Sequence, residues 1–117
     1  DMFLYEILVS QYQLKRYGEA EQSSNKLLAS KSDTLKVDVQ LGQGQYQSVS
    51  LKSAVSNIKG VVAMEVGQKE VAKQWFEKAL TIDSDFILPK NNLKLISAEK
   101  EPVKEEKQTE ESKKKKR

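Results

Sequence analysis

Residues 57–83 read NIKGVVAMEVGQKEVAKQWFEKALTID, and the spacing of their apolar and small side chains decides the fold. Val62 and Val66 continue a helical period begun by Leu51, Val55 and Ile58. Gly67-Gln68 closes it, because glycine enters the left-handed turn that ends a helix without a steric penalty. A second helical period follows in Val71, Ala72, Trp75, Phe76, Ala79, Leu80 and Ile82. Two helices joined by so short a link pack antiparallel. Gly60 and Ala72 fall where the pair comes closest, and a larger side chain there would force the helices apart. Phe76 and Leu80, four residues apart and one above the other, face the groove toward the following helix.

Toward the N-terminus the same arrangement recurs in weaker form. From Met2 to Leu14, Phe3, Leu4, Ile7, Leu8 and Val9, with Tyr5, Tyr12 and Leu14, follow a helical period and wrap most of the way round it. A helix apolar on nearly all sides expects cover on both; in a repeat array a preceding repeat supplies it, which predicts a fragment of a longer array. After a polar break at Lys15-Arg16-Tyr17-Gly18, Ala20, Leu27 and Leu28 mark a second helix to about Ser30. An offset of 52 residues places Ala20 on Ala72, Leu28 on Leu80 and Leu8 on Gly60. Toward the C-terminus, Ser84 or Asp85 is positioned to cap a last helix with Pro89 in its first turn. Its apolar face is Leu88, Leu93, Leu95 and Ile96, as in the end cap of a stack.

Gly60, Gly67, Ala72, Phe76, Ala79 and Leu80, within Asn57 to Asp83, resemble the tetratricopeptide repeat, whose period is about 34 residues. The first copy, from about Asp1 to Thr34, is a degenerate match that keeps Tyr17, Ala20 and Leu28. Leu8 stands where the family prefers a small residue, Lys15 where it prefers glycine and Ser24 where it prefers an aromatic. Neither copy has the usual proline after its second helix, since Ser32 and Ser84 stand there. The resemblance implies an all-α fold of antiparallel helical hairpins stacked as a short superhelix. Residues 1–98 would form the repeat domain: 1–34 the first repeat, 35–52 an insertion, 53–86 the second repeat and 87–98 a capping helix.

Between the copies, Leu35, Val37, Val39 and Leu41 alternate with Lys36, Asp38 and Gln40 before Gly42-Gln43-Gly44, and Gln45 to Val49 can return as a second strand. A β-hairpin is the literal reading, but two isolated strands are marginal in water unless they dock. An irregular linker or an early start to the next helix fits Ser32 to Ser50 equally. Residues 99–117 have Val103 as their one large apolar side chain, too little to offset the entropy of ordering, and read as a disordered tail.

The formal charge of +3 describes no basic domain. The first 98 residues carry 12 basic against 11 acidic side chains, and the excess lies mainly in Lys113, Lys114, Lys115, Lys116 and Arg117. That run reads as an import signal, a weak contact with RNA or another polyanion, or a solubilising end; no aromatic residue is interleaved to stack on bases. Cysteine and histidine are absent, which removes thiolate nucleophiles, Cys/His zinc sites and imidazole catalysis. Gly42-Gln43-Gly44 lacks the Lys-Ser or Lys-Thr sequel of a phosphate loop and reads as a turn. Asp83 and Asp85 sit at a helix boundary, where capping explains them. Trp75 beside Phe76 reads as a packing residue, and Tyr46 in its glycine-flanked loop as a contact residue. No cofactor, metal or membrane span is implied, and a cytoplasmic or nuclear location is favoured.

By resemblance, a partner protein or peptide would lie on the concave surface lined by the first helix of each hairpin. Those positions are Tyr5, Val9, Tyr12 and Gln13 in the first copy, and Asn57, Val61, Met64 and Glu65 in the second. Some members grip a C-terminal carboxylate through paired Lys and Asn; here Asn57 alone has that chemistry, and the aromatic and methionine side chains favour an apolar or helical segment. The expected function is a non-catalytic protein-binding scaffold within a larger assembly. The alternative is a subunit of a ribonucleoprotein or nuclear assembly whose basic tail contacts polyanion. Gly60→Leu should cost about 1 to 3 kcal/mol by overpacking, measured by urea denaturation; an unchanged midpoint would rule out the close helix approach at Gly60.

Overall fold

The computed structural model describes residues 1–31 and 34–100. Five helices follow one another: α1 (Met2–Gln13), α2 (Tyr17–Ala29), α3 (Leu51–Glu65), α4 (Lys69–Ile82) and α5 (Ile87–Lys100). Between α2 and α3 stand two strands, β1 (Lys36–Gly42) and β2 (Gln45–Ser50). The chain is therefore mostly helical with a small two-stranded antiparallel sheet. The all-helical expectation describes the hairpin pairs, and the stretch between them takes its β-hairpin form.

The 52-residue offset is visible in the backbone. At the end of α3, Gly67 N–H donates to Met64 C=O at 3.1 Å and Gln68 N–H to Ala63 C=O at 2.8 Å. At the end of α1, Lys15 N–H donates to Tyr12 C=O at 3.0 Å and Arg16 N–H to Gln11 C=O at 2.8 Å. Both sets form the same left-handed cap, with φ +84° at Gly67 and 62° at Lys15. Glycine accepts this angle freely, whereas a residue with a Cβ carries about 1–2 kcal/mol of strain, so the first copy holds its turn against a local penalty.

Within the second hairpin, a Cβ on Gly60 would lie 2.6 Å from Cδ1 and 2.9 Å from Cζ of Phe76. The fully buried Phe76 ring thus rests on the bare backbone of α3, and packs with Ala63, Ala72 and Ile96 of α5. At the corresponding positions of the first hairpin the sizes are exchanged. Leu8 stands at the position of Gly60 and Ser24 at that of Phe76, and both are buried, at 0% and 1% exposure. The large side chain has moved from the second helix to the first, so two departures from the repeat pattern compensate in volume.

Helix α3 is the hub, touching α1, α2, α4, α5 and both strands. It is buried on nearly every side, including the polar residues Ser53, Ser56, Asn57 and Lys59. Each has a partner: Ser53 hydroxyl with Asp83 Oδ2 at 2.5 Å, and Ser56 hydroxyl with Lys52 C=O at 2.8 Å. Asn57 Oδ1 accepts from Asn92 at 3.3 Å, and Lys59 Nζ reaches Glu21 Oε2 at 2.6 Å and Asn25 Oδ1 at 2.7 Å. Such pairing is what lets a helix of mixed composition occupy a core.

The hairpin docks on α3 through Val37 and Val49, a directly opposed pair that is 4% and 1% exposed. Their burial supplies the support that two isolated strands lack. Gly44, at φ +73°, makes the turn, and a bulge between Gln40 and Gly42 ends regular pairing. Helix α5 begins at Ile87, so neither Ser84 nor Asp85 caps it from the flanking position. The first-turn donor of Ile87 is met by Gln47 Oε1 of β2 at 2.9 Å, while Gln47 Nε2 donates to Asp85 C=O at 2.7 Å. Pro89 lies in the first turn and is buried, and the helix continues past Ala98 to Lys100.

If Leu8 and Ser24 fill one site in inverted order, Leu8→Gly and Ser24→Phe should each destabilise by roughly 2 kcal/mol or more. The double variant should recover at least about 1 kcal/mol of their sum, read from urea midpoints. Simple additivity would show that the two residues do not share a site.

Candidate partner-binding groove

A groove of about 910 Å³ opens between the first hairpin and the inserted sheet. Its floor is α3, with Ala54, Asn57, Ile58 and Val61. One wall is α1, with Met2, Tyr5, Glu6, Val9, Tyr12 and Gln13; the other is β1, from Val37 to Gly42, with Tyr46. Phe86, Leu88 and Asn92 complete the lining. Sequence spacing explains the floor and first wall: Tyr5, Val9 and Tyr12 recur at helical intervals, as do Ala54, Ile58 and Val61.

Of the residues expected to contact a partner, Tyr5, Val9, Tyr12, Gln13, Asn57 and Val61 line this groove. Met64 lies elsewhere, packed with Ala63, Ala72, Phe76 and Ile96. Glu65 borders a separate depression of about 300 Å³ with Tyr12, Gln13, Lys15 and Tyr17. Asn57 is buried and engaged by Asn92, which makes it part of the floor rather than a free grip. Lys113, Lys114, Lys115, Lys116 and Arg117 lie outside the described residues. The β1 wall is the part that the helical reading did not assign to the surface; the alternation from Leu35 to Leu41 was its signal.

The groove is mainly apolar, and its two acidic residues, Glu6 and Asp38, face no basic residue among the lining side chains. Burial pushes the Tyr5 phenol above its ordinary range. Tyr12 is raised chiefly by burial, with Tyr17 and Glu65 adding to it. Both rings stay neutral at physiological pH and offer apolar area with a hydrogen-bonding tip. Trp75 sits outside this surface, with Lys59 Nζ 4.9 Å and Lys78 Nζ 5.0 Å from its ring centroid. That is a structural cation–π contact across α3 and α4. Tyr46, 62% exposed, stands at the groove rim. Among the described residues no acidic cluster is arranged to hold a metal ion, and no helix is long and apolar enough to cross a membrane.

Residues 55–86 match the tetratricopeptide repeat family model. The match covers the body of α3, all of α4 and the link to α5, so the second hairpin carries the family pattern. No curated protein and no solved structure matches the chain.

The position of the β1 wall depends on Asp83, at the C-terminal end of α4. Its Oδ2 accepts from Ser50 N–H at 2.8 Å and from the Ser53 hydroxyl, and thereby caps α3 from another element, since Ser50 makes no side-chain cap of its own. Burial opposes ionisation of this carboxyl, but the Ser53 and Ser50 hydrogen bonds, helped by Lys36, outweigh it and hold Asp83 below the usual carboxylate range. A depressed pKa contributes stability that is fully present above the ordinary value and lost as pH falls through the depressed one. Asp83→Asn should therefore lower stability at pH 7 and have progressively less effect toward pH 3, followed by chemical denaturation at each pH. An equal loss at both ends would remove the carboxylate charge from the explanation.

Proposed function

We propose that this chain is a non-catalytic protein-binding module that holds an apolar segment of a partner in the groove between α1, α3 and β1. The observation that carries the reading is convergence: six residues named from the repeat pattern alone line one mainly apolar groove. Its size falls in the range of about 300–1,000 Å³ typical of ligand sites. The tetratricopeptide match of residues 55–86 supports the same reading, because repeats of this kind serve as interaction surfaces. The lining offers contact area and two carboxylates, with no nucleophile and base in reach of one another. Aromatic rings give this area at small cost in side-chain entropy.

The test is a displayed library of short apolar segments selected on the purified chain, with bound positions mapped by amide chemical shifts. Shifts should concentrate at Tyr5, Val9, Tyr12 and Val61. Tyr5→Ser with Tyr12→Ser should weaken the selected segments about tenfold or more, and melting curves should show the variant still folded. Because both rings also pack on the core, Val61→Thr, nearly isosteric, serves as the second variant. Val61 itself packs against Ala63, Ala72, Phe76 and Ile96, so this variant's melting curve is compared too, and its binding should weaken severalfold. Segments that bind with unchanged affinity to both variants would place the interaction elsewhere.

A further inference from the structure

We infer that the partner segment enters the groove as a third β-strand on the free edge of β1, with apolar side chains at alternate positions and a basic residue among the others. The inference rests on the groove being the binding site and specifies the form of its occupant.

Which backbone groups of β1 are unpaired follows from register. Leu51 N–H donates to Leu35 C=O at 2.9 Å, and the pairing continues as Val37 with Val49 and Val39 with Gln47. Antiparallel pairs alternate between those that exchange hydrogen bonds and those that do not. Starting from Leu35 and Leu51, the odd-numbered residues of β1 bond to β2, while Lys36, Asp38 and Gln40 turn their N–H and C=O outward. Ser50, opposite Lys36, obeys the same rule on the other strand: its N–H points away from β1 and reaches Asp83.

The two outer edges are treated differently. That of β2 faces the end of α4 and the start of α5, where Ser50 and Gln47 tie it down. That of β1 has no third strand and no backbone bond to another element among the described residues. It faces the groove. Six successive residues, Val37 to Gly42, line the cavity, although neighbouring side chains on a strand point to opposite faces. A strand lines a cavity with consecutive residues when its edge is turned toward it.

An extended segment satisfies the outward N–H and C=O groups, which a helix cannot, since its own are internally bonded. The bulge between Gln40 and Gly42 interrupts the regular edge, leaving room for about five residues. On one face such a strand meets Ile58, Val61 and the α1 rings, so alternate residues are apolar. Glu6 and Asp38 are the charged lining residues, and both are acidic, so a Lys or Arg on the segment is the complementary charge.

The experiment selects binders from a displayed library of seven-residue segments with apolar residues at alternate positions and Lys or Arg at one of the others. Binding should fall at least tenfold further on Asp38→Pro than on Asp38→Asn, since both remove the carboxylate but only proline deletes an outward N–H while leaving the pairs with β2 intact, and amide exchange at Asp38 and Gln40 should slow on binding. Should Asp38→Pro unfold the chain, backbone N-methylation of the selected segment substitutes for it. Methyl groups on alternate nitrogens of one edge should abolish binding, and those on the other edge should spare it. Segments that survive both changes yet are lost with Tyr12→Ser would overturn strand addition and leave the groove standing. If no member binds while other short apolar segments do, strand addition is overturned and the groove stands; if neither kind binds, both readings fail. Self-association of the chain through this edge that the segments cannot disperse would assign it to a second copy and overturn the proposal.

Discussion

The contact between the Phe76 ring and the bare backbone at Gly60 sets the separation of α3 from α4, and other packing follows from it. With no side chain between them, the two helices close on each other, and the same ring reaches Ile96 to bring α5 against the pair. At the corresponding positions of the first hairpin the large residue stands on the first helix and the small one on the second, Leu8 and Ser24, and both are buried. What the architecture requires is that the summed volume at the crossing be conserved; which helix supplies it is free.

A close-packed α3 has neighbours all round it, which makes its composition unusual. A helix in that position would ordinarily be uniformly apolar. Here it carries Ser53, Ser56, Asn57 and Lys59 into the interior, and each is answered by a group on its own helix or another element. These polar contacts are directional in a way that burial is not. Asp83 specifies where α3 begins, and Gln47 binds the hairpin to the α4–α5 link through both ends of its amide. The inserted hairpin is thereby tied at one edge and packed on one face.

The helices were legible because their periods are long and their breaks chemically explicit: Gly67 takes the left-handed turn its type suggests. Lys15 takes the same turn without that signal, because tertiary packing of the first hairpin overrides a local penalty. The insertion was ambiguous for a physical reason. Alternation at Leu35, Val37 and Val39 says strand, but whether two strands persist depends on a docking surface that no local pattern encodes. The boundary of α5 at Ile87 was legible, but its cap was not, since its first-turn acceptor, Gln47, lies 40 residues away. Six groove residues were reachable through the repeat resemblance, while the β1 wall required knowing which way an edge faces.

Lys59 bears on how steady that groove can be. Its side chain is 5% exposed, with the ammonium held by Glu21 and Asn25 of α2 and set over the Trp75 ring of α4. Burying a cation is expensive, and a pair of this kind contributes little net stability when weighed against an apolar side chain of equal volume. Its contribution is to geometry: Glu21 and Asn25 lie one turn apart on α2, so Lys59 fixes both the rotation and the height of the first hairpin against α3. Since α1 moves with α2 and β1 is held through α3, α4 and α5, the distance between the groove walls is set by this contact together with the Lys52 Nζ bond to Ser30 C=O at 2.7 Å and the packing of Leu8, Ala20 and Leu27 on α3. A surface that receives its partner between a helix and a strand needs that distance constant, and a directional polar contact adds register to the close apolar packing that holds it.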